Sequence, residues 1–352
     1  MKKLIIEKSA LKQNLAVIKA AAGRSCIYAN LSRDAYGAGA VEMAKFLREE
    51  GISRFAVDDA EVAVALRKAG LVEEELLMIR SVSDRKELEK LLDHNVVCSI
   101  GTLEAGMALN ALAAERATVA EAHLQIDCGM GFGGFPAEEP ERMASIYQNL
   151  GSVAISGVYT QLRSHSKTIS TQLAAFNQVL DYLRQAGYET GTAHAAGSYS
   201  LLHHEEISRL DAVRAGSVLL GRCRRKKGDG LQQVGFGETA IVDLRWLPKG
   251  HSISGHQLKS LRRPTRIAAI PVGFHDGFGV AAPAHSLWGA LRQFLLNRRH
   301  SVWLDGRKVK VLGAISGNET LLDVTDLRCS EGDIVTFEID PQFARGLKRE
   351  YR

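Results

Sequence analysis

The chain has 352 residues, 45% of them hydrophobic and 24% charged, an ordinary globular balance with apolar material for one large core and a smaller one, which excludes a disordered or fibrous protein. The formal net charge of +5 is small for this length, and with no nucleic-acid-binding fingerprint beside it the charge points to solubility rather than to a nucleic-acid partner. No run reaches the roughly 18 apolar residues of a membrane span, and the apolar start is too short for a signal peptide; five scattered cysteines with no Cys-x-x-Cys pair (Cys26, Cys98, Cys128, Cys223 and Cys329) argue for reduced thiols in a cytoplasmic protein and against a zinc site or disulfide frame.

In chain order, short apolar runs alternate with amphipathic stretches through about residue 220. Strands are expected at Ser25–Leu31, Arg54–Asp58, Leu76–Ile79, Val96–Ile100, Ala122–Ile126, Val153–Tyr159, Gly191–His194 and Ala212–Val218. Between them, apolar residues at three and four spacing predict helices over Ala40–Glu50, Ala60–Ala69, Asp84–Leu92, Thr102–Ala114, Glu138–Asn149 and Gln172–Gln185. Eight strands, most followed by a helix, fit a (β/α)8 barrel; a doubly wound open sheet would alternate in the same way. From about residue 236 the period shortens. Runs at Thr239–Trp246, Arg266–Pro271, Val302–Val311, Thr320–Val324 and Asp333–Ile339, separated by turns such as Asp305-Gly306, predict a β-rich second domain, interrupted by one helical stretch at Ser286–Leu296. The expected division is a barrel over 8–235 and a β-domain over 236–352 that also takes strand 1–7.

Several motifs follow one another along this frame. An apolar run leads into Asp34-Ala35-Tyr36-Gly37-Ala38-Gly39. Leu124–Phe135 carries Asp127-Cys128-Gly129-Met130-Gly131. Further on come His194-Ala195-Ala196-Gly197-Ser198, Val213-Arg214-Ala215-Gly216-Ser217, and Ile270-Pro271-Val272-Gly273-Phe274-His275-Asp276-Gly277. In this order they resemble the alanine racemases, the fold-type III pyridoxal-phosphate (PLP) enzymes, over nearly the whole chain. The resemblance implies a (β/α)8 TIM barrel followed by a β-rich C-terminal domain, PLP as cofactor, and a head-to-tail homodimer whose active sites each draw on both subunits. It also implies a ligand cup of Tyr36, Ser198, Gly216 and Ser217 around a phosphate, with Arg214 facing the cofactor's pyridine nitrogen and His194 behind it. A phosphate site after barrel strands seven and eight, where backbone N–H groups converge, is physically apt. Read residue by residue, Gly216 could equally make a turn, Ser198 cap a helix and Arg214 form a structural ion pair.

The same alignment puts Ser32 where the family has the lysine that bonds covalently to PLP, and a hydroxyl cannot form an imine with an aldehyde. Phe274 stands at the second catalytic base, a tyrosine from the partner subunit. Gln125 replaces a lysine, Phe132 an arginine that orients cofactor and substrate, Ala38 a histidine, Gly317-Asn318 a Met-Asp pair, and Phe337 a tyrosine that closes on the phosphate. A racemase needs two bases on opposite faces of the α-carbon, so no catalytic residue is expected from Ser32 and Phe274. His275, Arg163, His165 and Lys167 are candidate substitutes or solvated surface groups. The basic run Arg222-Cys223-Arg224-Arg225-Lys226-Lys227 is a solvated face or an anion attractor that raises the reactivity of Cys223. Three readings stand: a non-racemising relative that binds a phosphate-bearing small molecule, with PLP held non-covalently as one candidate; a PLP-dependent amino-acid racemase with unusual bases; and a structural or regulatory dimer with a vestigial pocket.

Overall fold

A computed structural model of the chain describes residues 1–163, 166–203, 210–223, 229–253, 260–281, 288 and 300–352. It divides into two compact units, Ser9–Gln233 and Met1–Lys8 with Val234–Arg352. The chain opens on β1 (Lys3–Ile6), which belongs to the second of these, and continues into the helix Lys8–Ala22.

The first unit holds β2 (Cys26–Asn30), β3 (Arg54–Val57), β4 (Glu75–Ser81), β5 (Val96–Ile100), β6 (Ala120–Asp127), the two-residue β7 (Phe135–Pro136), β8 (Val153–Thr160), β9 (Thr192–Ala196) and β10 (Ala212–Ala215). They pair in the order β5-β4-β3-β2-β10-β9-β8-β6-β7, and a further pairing of β5 with β6 closes eight parallel strands into a barrel. Closure leaves no exposed edge among the eight. Tyr28, Ala56, Leu77, Val97 and Ala212 pack together in its interior. Helices between strands begin where the sequence supplies a cap: Asp59, Asp84 and Thr102 accept from the N–H groups of Glu61, Glu87 and Ala105 at 2.8, 2.9 and 3.2 Å. Two expectations shift. The helix before β9 starts earlier, at Ser166–Gln185, and β10 stops at Ala215 rather than Val218, because the N–H groups of Gly216 and Val218 turn to a serine instead of a neighbouring strand.

The second unit adds β11 (Phe236–Ala240), β12 (Asp243–Leu247), β13 (Thr265–Ile270), β14 (Val302–Leu304), β15 (Arg307–Leu312), β16 (Thr320–Asp323), β17 (Ile334–Glu338) and β18 (Lys348–Tyr351). Its sheet runs β12-β13-β16-β15-β14-β17-β11-β1-β18. β1 pairs antiparallel with β11 and parallel with β18. Two predicted single strands are each a pair: Thr239–Trp246 breaks between β11 and β12, and Val302–Val311 breaks at Asp305-Gly306, where both residues have positive φ. The C-terminal strand β18 was not expected; it reads Lys-Arg-Glu-Tyr, three charged residues and one aromatic, with no apolar run to give it away. The expected helix at Ser286–Leu296 lies, Trp288 aside, outside the described residues. The fold is thus a (β/α)8 barrel followed by a β-rich domain. Among the described residues, no helix is long and apolar enough to cross a membrane, no acid, cysteine or histidine cluster could hold a metal ion, and the five cysteines form no disulfide.

Candidate active site

After β2 the backbone turns left-handed. Arg33, Asp34, Ala35 and Tyr36 have φ of 53°, 57°, 52° and 56°, a region that costs an L-residue roughly 1–2 kcal/mol. Four non-glycine residues in succession there need support. Asp34 Oδ1 accepts from the N–H of Ala40 at 2.7 Å, the Arg33 N–H donates to Asp58 Oδ1 at 3.2 Å, Ala35 is buried, and Gly37 continues at φ 84° without penalty. Strain held this firmly concentrates where function needs a particular geometry. Here it delivers the Tyr36 hydroxyl to the end of β10.

At that end Gly216 is required. A Cβ there would stand 2.2 Å from Tyr36 Oη. Ser198 opens the helix Ser198–His203, yet its Oγ does not serve that helix: it accepts from the N–H groups of Gly216 at 3.0 Å and Val218 at 3.3 Å. Tyr36, Ser198, Gly216 and Ser217 thereby line one cavity of about 300 Å³ with Asn30, Gln161, Arg214 and Cys223. Burial, with Asp58 adding to it, pushes the Tyr36 phenol up, so it stays a hydrogen-bond donor. A larger concavity of about 700 Å³ lies at the other end of the barrel, beside Arg24, Arg54 and Asp211. Barrel chemistry belongs to the C-terminal ends of the strands, and the smaller cavity is there.

Arg214 is almost fully buried. One guanidinium nitrogen donates to His194 Nδ1 in a short contact and to the His194 carbonyl at 3.3 Å. A second donates to the Thr160 carbonyl at 2.6 Å and to Gln161 Oε1 at 3.0 Å. All four acceptors are neutral, so among the described residues this charge has no counter-anion. Burial lowers the guanidinium to about 10 and leaves it charged at neutral pH. A buried cation without a paired anion is costly, and it favours an electron-rich ligand beside it. The ion-pair reading of Arg214 is therefore set aside. Sequence reasoning passed over Gln161 and Asn30, and had weighed Cys223 only as part of a basic run; the one signal for Gln161 was a polar residue just beyond the end of a barrel strand.

The substituted positions have new work. Ser32 Oγ donates to Asn30 Oδ1 at 2.6 Å, while its N–H meets the same oxygen at 3.0 Å, and Ser32 does not line the cavity. The Gln125 amide donates to the carbonyls of Phe132 and Gly133 at 3.3 and 3.2 Å, tying down a loop that leaves Phe132 73% exposed. In the second unit Phe274 is 50% exposed on a short 3-10 turn. The Phe274 and His275 N–H groups donate to the carbonyls of Ser316 and Gly317 at 2.9 and 3.0 Å, and Lys2 pairs with Asp276 at 2.6 Å. Phe337 is fully buried in β17 against the edge of Phe278, so it is a core residue. His165, the side chain of Lys167 and residues 224–227 lie outside the described residues.

The sequence matches the family described as "Alanine racemase, N-terminal domain" over residues 6–223 and "Alanine racemase, C-terminal domain" over residues 237–343. An alanine racemase of Halothermothrix orenii is 28% identical over 330 residues, 92% of this chain and 83% of that protein. One of Methanococcus maripaludis is 25% identical, over 94% and 87%. Among solved structures, an alanine racemase of Clostridium difficile 630 superposes with a TM-score of 0.86 at 21% identity, covering 100% of this chain and 95% of that one. That of Bartonella henselae with covalently bound pyridoxal phosphate superposes with a TM-score of 0.82 at 20% identity, covering 100% and 99%. These structures share the fold, and with both domain matches in order along the sequence, the chain belongs to the alanine racemase family.

Proposed function

We propose that this chain is a non-racemising member of the family that holds a phosphate-bearing small molecule, PLP being the first candidate, without a covalent bond. The observation that carries the reading is Ser32: its hydroxyl is spent on Asn30, and it offers no amine at the position of the family's lysine. The cup itself suits the group. The Gly216 cradle, the donor face of Tyr36 and Ser217 fit a phosphate, and the uncompensated Arg214 fits an acceptor atom on an aromatic ring. PLP, when bound, supplies an aldehyde and an electron-withdrawing ring. The residues around it supply hydrogen bonds and exclude water, and neither Ser32 nor Phe274 supplies a base. Family membership itself favours a second reading, a PLP-dependent amino-acid racemase with other bases.

Absorbance, native mass spectrometry and borohydride reduction separate the two. The expected outcome is PLP that binds and is lost on dialysis, with no pyridoxyl group left on protein after reduction and no conversion of L-alanine to D-alanine. A reduced pyridoxyl lysine, or racemisation above background, overturns the proposal. We also infer, from the family's assembly and the exposed Phe274, a homodimer in which Phe274 lies near Tyr36 of the partner subunit.

A further inference from the structure

Behind Arg214 a polar chain continues into the barrel. An arginine N–H can only donate, so His194 Nδ1 accepts, and a neutral imidazole with Nδ1 bare carries its proton on Nε2. That Nε2 lies 2.9 Å from His123 Nδ1 on β6. It donates there, and the proton of His123 is in turn left on its own Nε2. The direction of every hydrogen bond in the chain is thereby fixed from the guanidinium outward.

The surroundings hold both rings in place. Tyr28 and Tyr159 each stack on His194, at 5.3 and 5.1 Å between ring centres. Tyr159 is itself pinned, its hydroxyl 3.0 Å from Ser99 Oγ and 3.1 Å from the Ile79 carbonyl, and the Tyr28 hydroxyl donates to Glu75. His123 occupies space that only glycine leaves free: a Cβ on Gly157 would stand 2.5 Å from its ring. Burial, and then the cations Arg214 and Arg54, hold both rings neutral, His123 down at about 3 and His194 well below its usual range.

We propose that His123 is a positioning residue: by accepting from His194 Nε2 it fixes the tautomer of His194, and so aims Arg214 at the cup for an electron-rich ligand. This rests on the cup being the ligand site. His123 touches no ligand itself.

The test uses the full chain labelled with 15N-histidine, with His123→Asn and His123→Leu as variants and PLP as the probe. In the unaltered protein, both rings are expected to show a bare Nδ1 and a protonated Nε2, unchanged from pH 5 to 8. In His123→Asn the amide oxygen takes the place of Nδ1, so His194 keeps its tautomer and PLP affinity stays within about twofold. In His123→Leu the acceptor is gone, His194 mixes tautomers, and affinity falls about tenfold, the scale of one lost hydrogen bond. A protonated Nδ1 on His194, or titration of either ring in that window, overturns the relay, as does a folded His123→Leu that binds PLP as the unaltered protein does. If His123→Leu does not fold, a loss of affinity in His123→Asn beyond tenfold with the His194 tautomer unchanged overturns it. Failure of the unaltered protein to take up PLP overturns the cup reading and with it the aim of Arg214, while the nitrogen spectrum still reports the relay, so the two failures are distinguishable.

Discussion

Gly216 and Ser32 are the residues on which the reading of the cavity turns. At Gly216 the space a side chain needs is already taken by Tyr36 Oη, so Gly216→Val must eject the tyrosine and crowd the backbone donors. Binding of PLP or inorganic phosphate to this variant is expected to fall at least tenfold by calorimetry; unchanged affinity would remove the cup. Ser32→Lys returns an amine to the turn after β2. With PLP present it should give a pyridoxyl group recoverable after borohydride, and still no racemisation, because Phe274 has no proton to exchange. D-alanine produced by that variant would show that a second base survives elsewhere. The two buried histidines make a separate prediction. Below about pH 6.5 the unfolded chain protonates both rings, while the folded chain, which holds them neutral, does not. Stability therefore falls as pH falls, by about 1.4 kcal/mol per pH unit for each ring. Denaturant melts between pH 7 and 5 should show this slope, and His123→Asn should lose part of it.

At the scale of elements, the left-handed turn and the β6–β8 pair are the places where the local backbone is under constraint. Arg33 is exposed with φ 53°. Replacing it with glycine removes the left-handed penalty and costs some unfolded-state entropy. The expected net gain is about 0.5 kcal/mol by urea titration, whereas glycine in an ordinary helix costs about 1 kcal/mol. A loss of that size would mean the turn is not left-handed in solution. On β8 the reverse holds. Gly157→Ala drives a methyl into the His123 ring, and overpacking of this kind costs about 1–3 kcal/mol. Both the left-handed turn and the glycine berth were invisible in the sequence. Arg33-Asp34-Ala35-Tyr36 reads as an ordinary polar loop, and no local pattern reveals that a histidine from another strand fills the space over Gly157.

At the scale of the whole molecule, the exposed aromatic Phe274 belongs to a turn that is held from several sides. Gly273 donates to Asp276 Oδ2 at 3.0 Å, Lys2 pairs with the other oxygen, and Phe278 is buried beneath. Phe278 is thus part of the core, while Val280 is 38% exposed. A single exposed phenylalanine is ordinary by itself, so the expectation of a dimer rests on the family's assembly. Sedimentation at micromolar concentration is expected to give a dimer, and Phe274→Asp to shift it toward monomer with the fold intact. A monomer in the unaltered protein would favour the vestigial reading.

The family, and the barrel followed by a β-rich domain, were legible from residue order alone, because collinear motifs and apolar periodicity are local properties of a chain. The serine at position 32, where the resemblance expects a lysine, was legible for the same reason. What tertiary structure decided is which atoms meet. Ser198 serves the backbone after β10 instead of its own helix, Gly216 yields its side-chain space to Tyr36, Arg214 is charged and buried among neutral acceptors, Gln161 meets it from the loop after β8, and His123 on β6 reaches it through His194. Each of these is a contact between segments distant in sequence, set by barrel closure, and no window of neighbouring residues contains the information that brings them together.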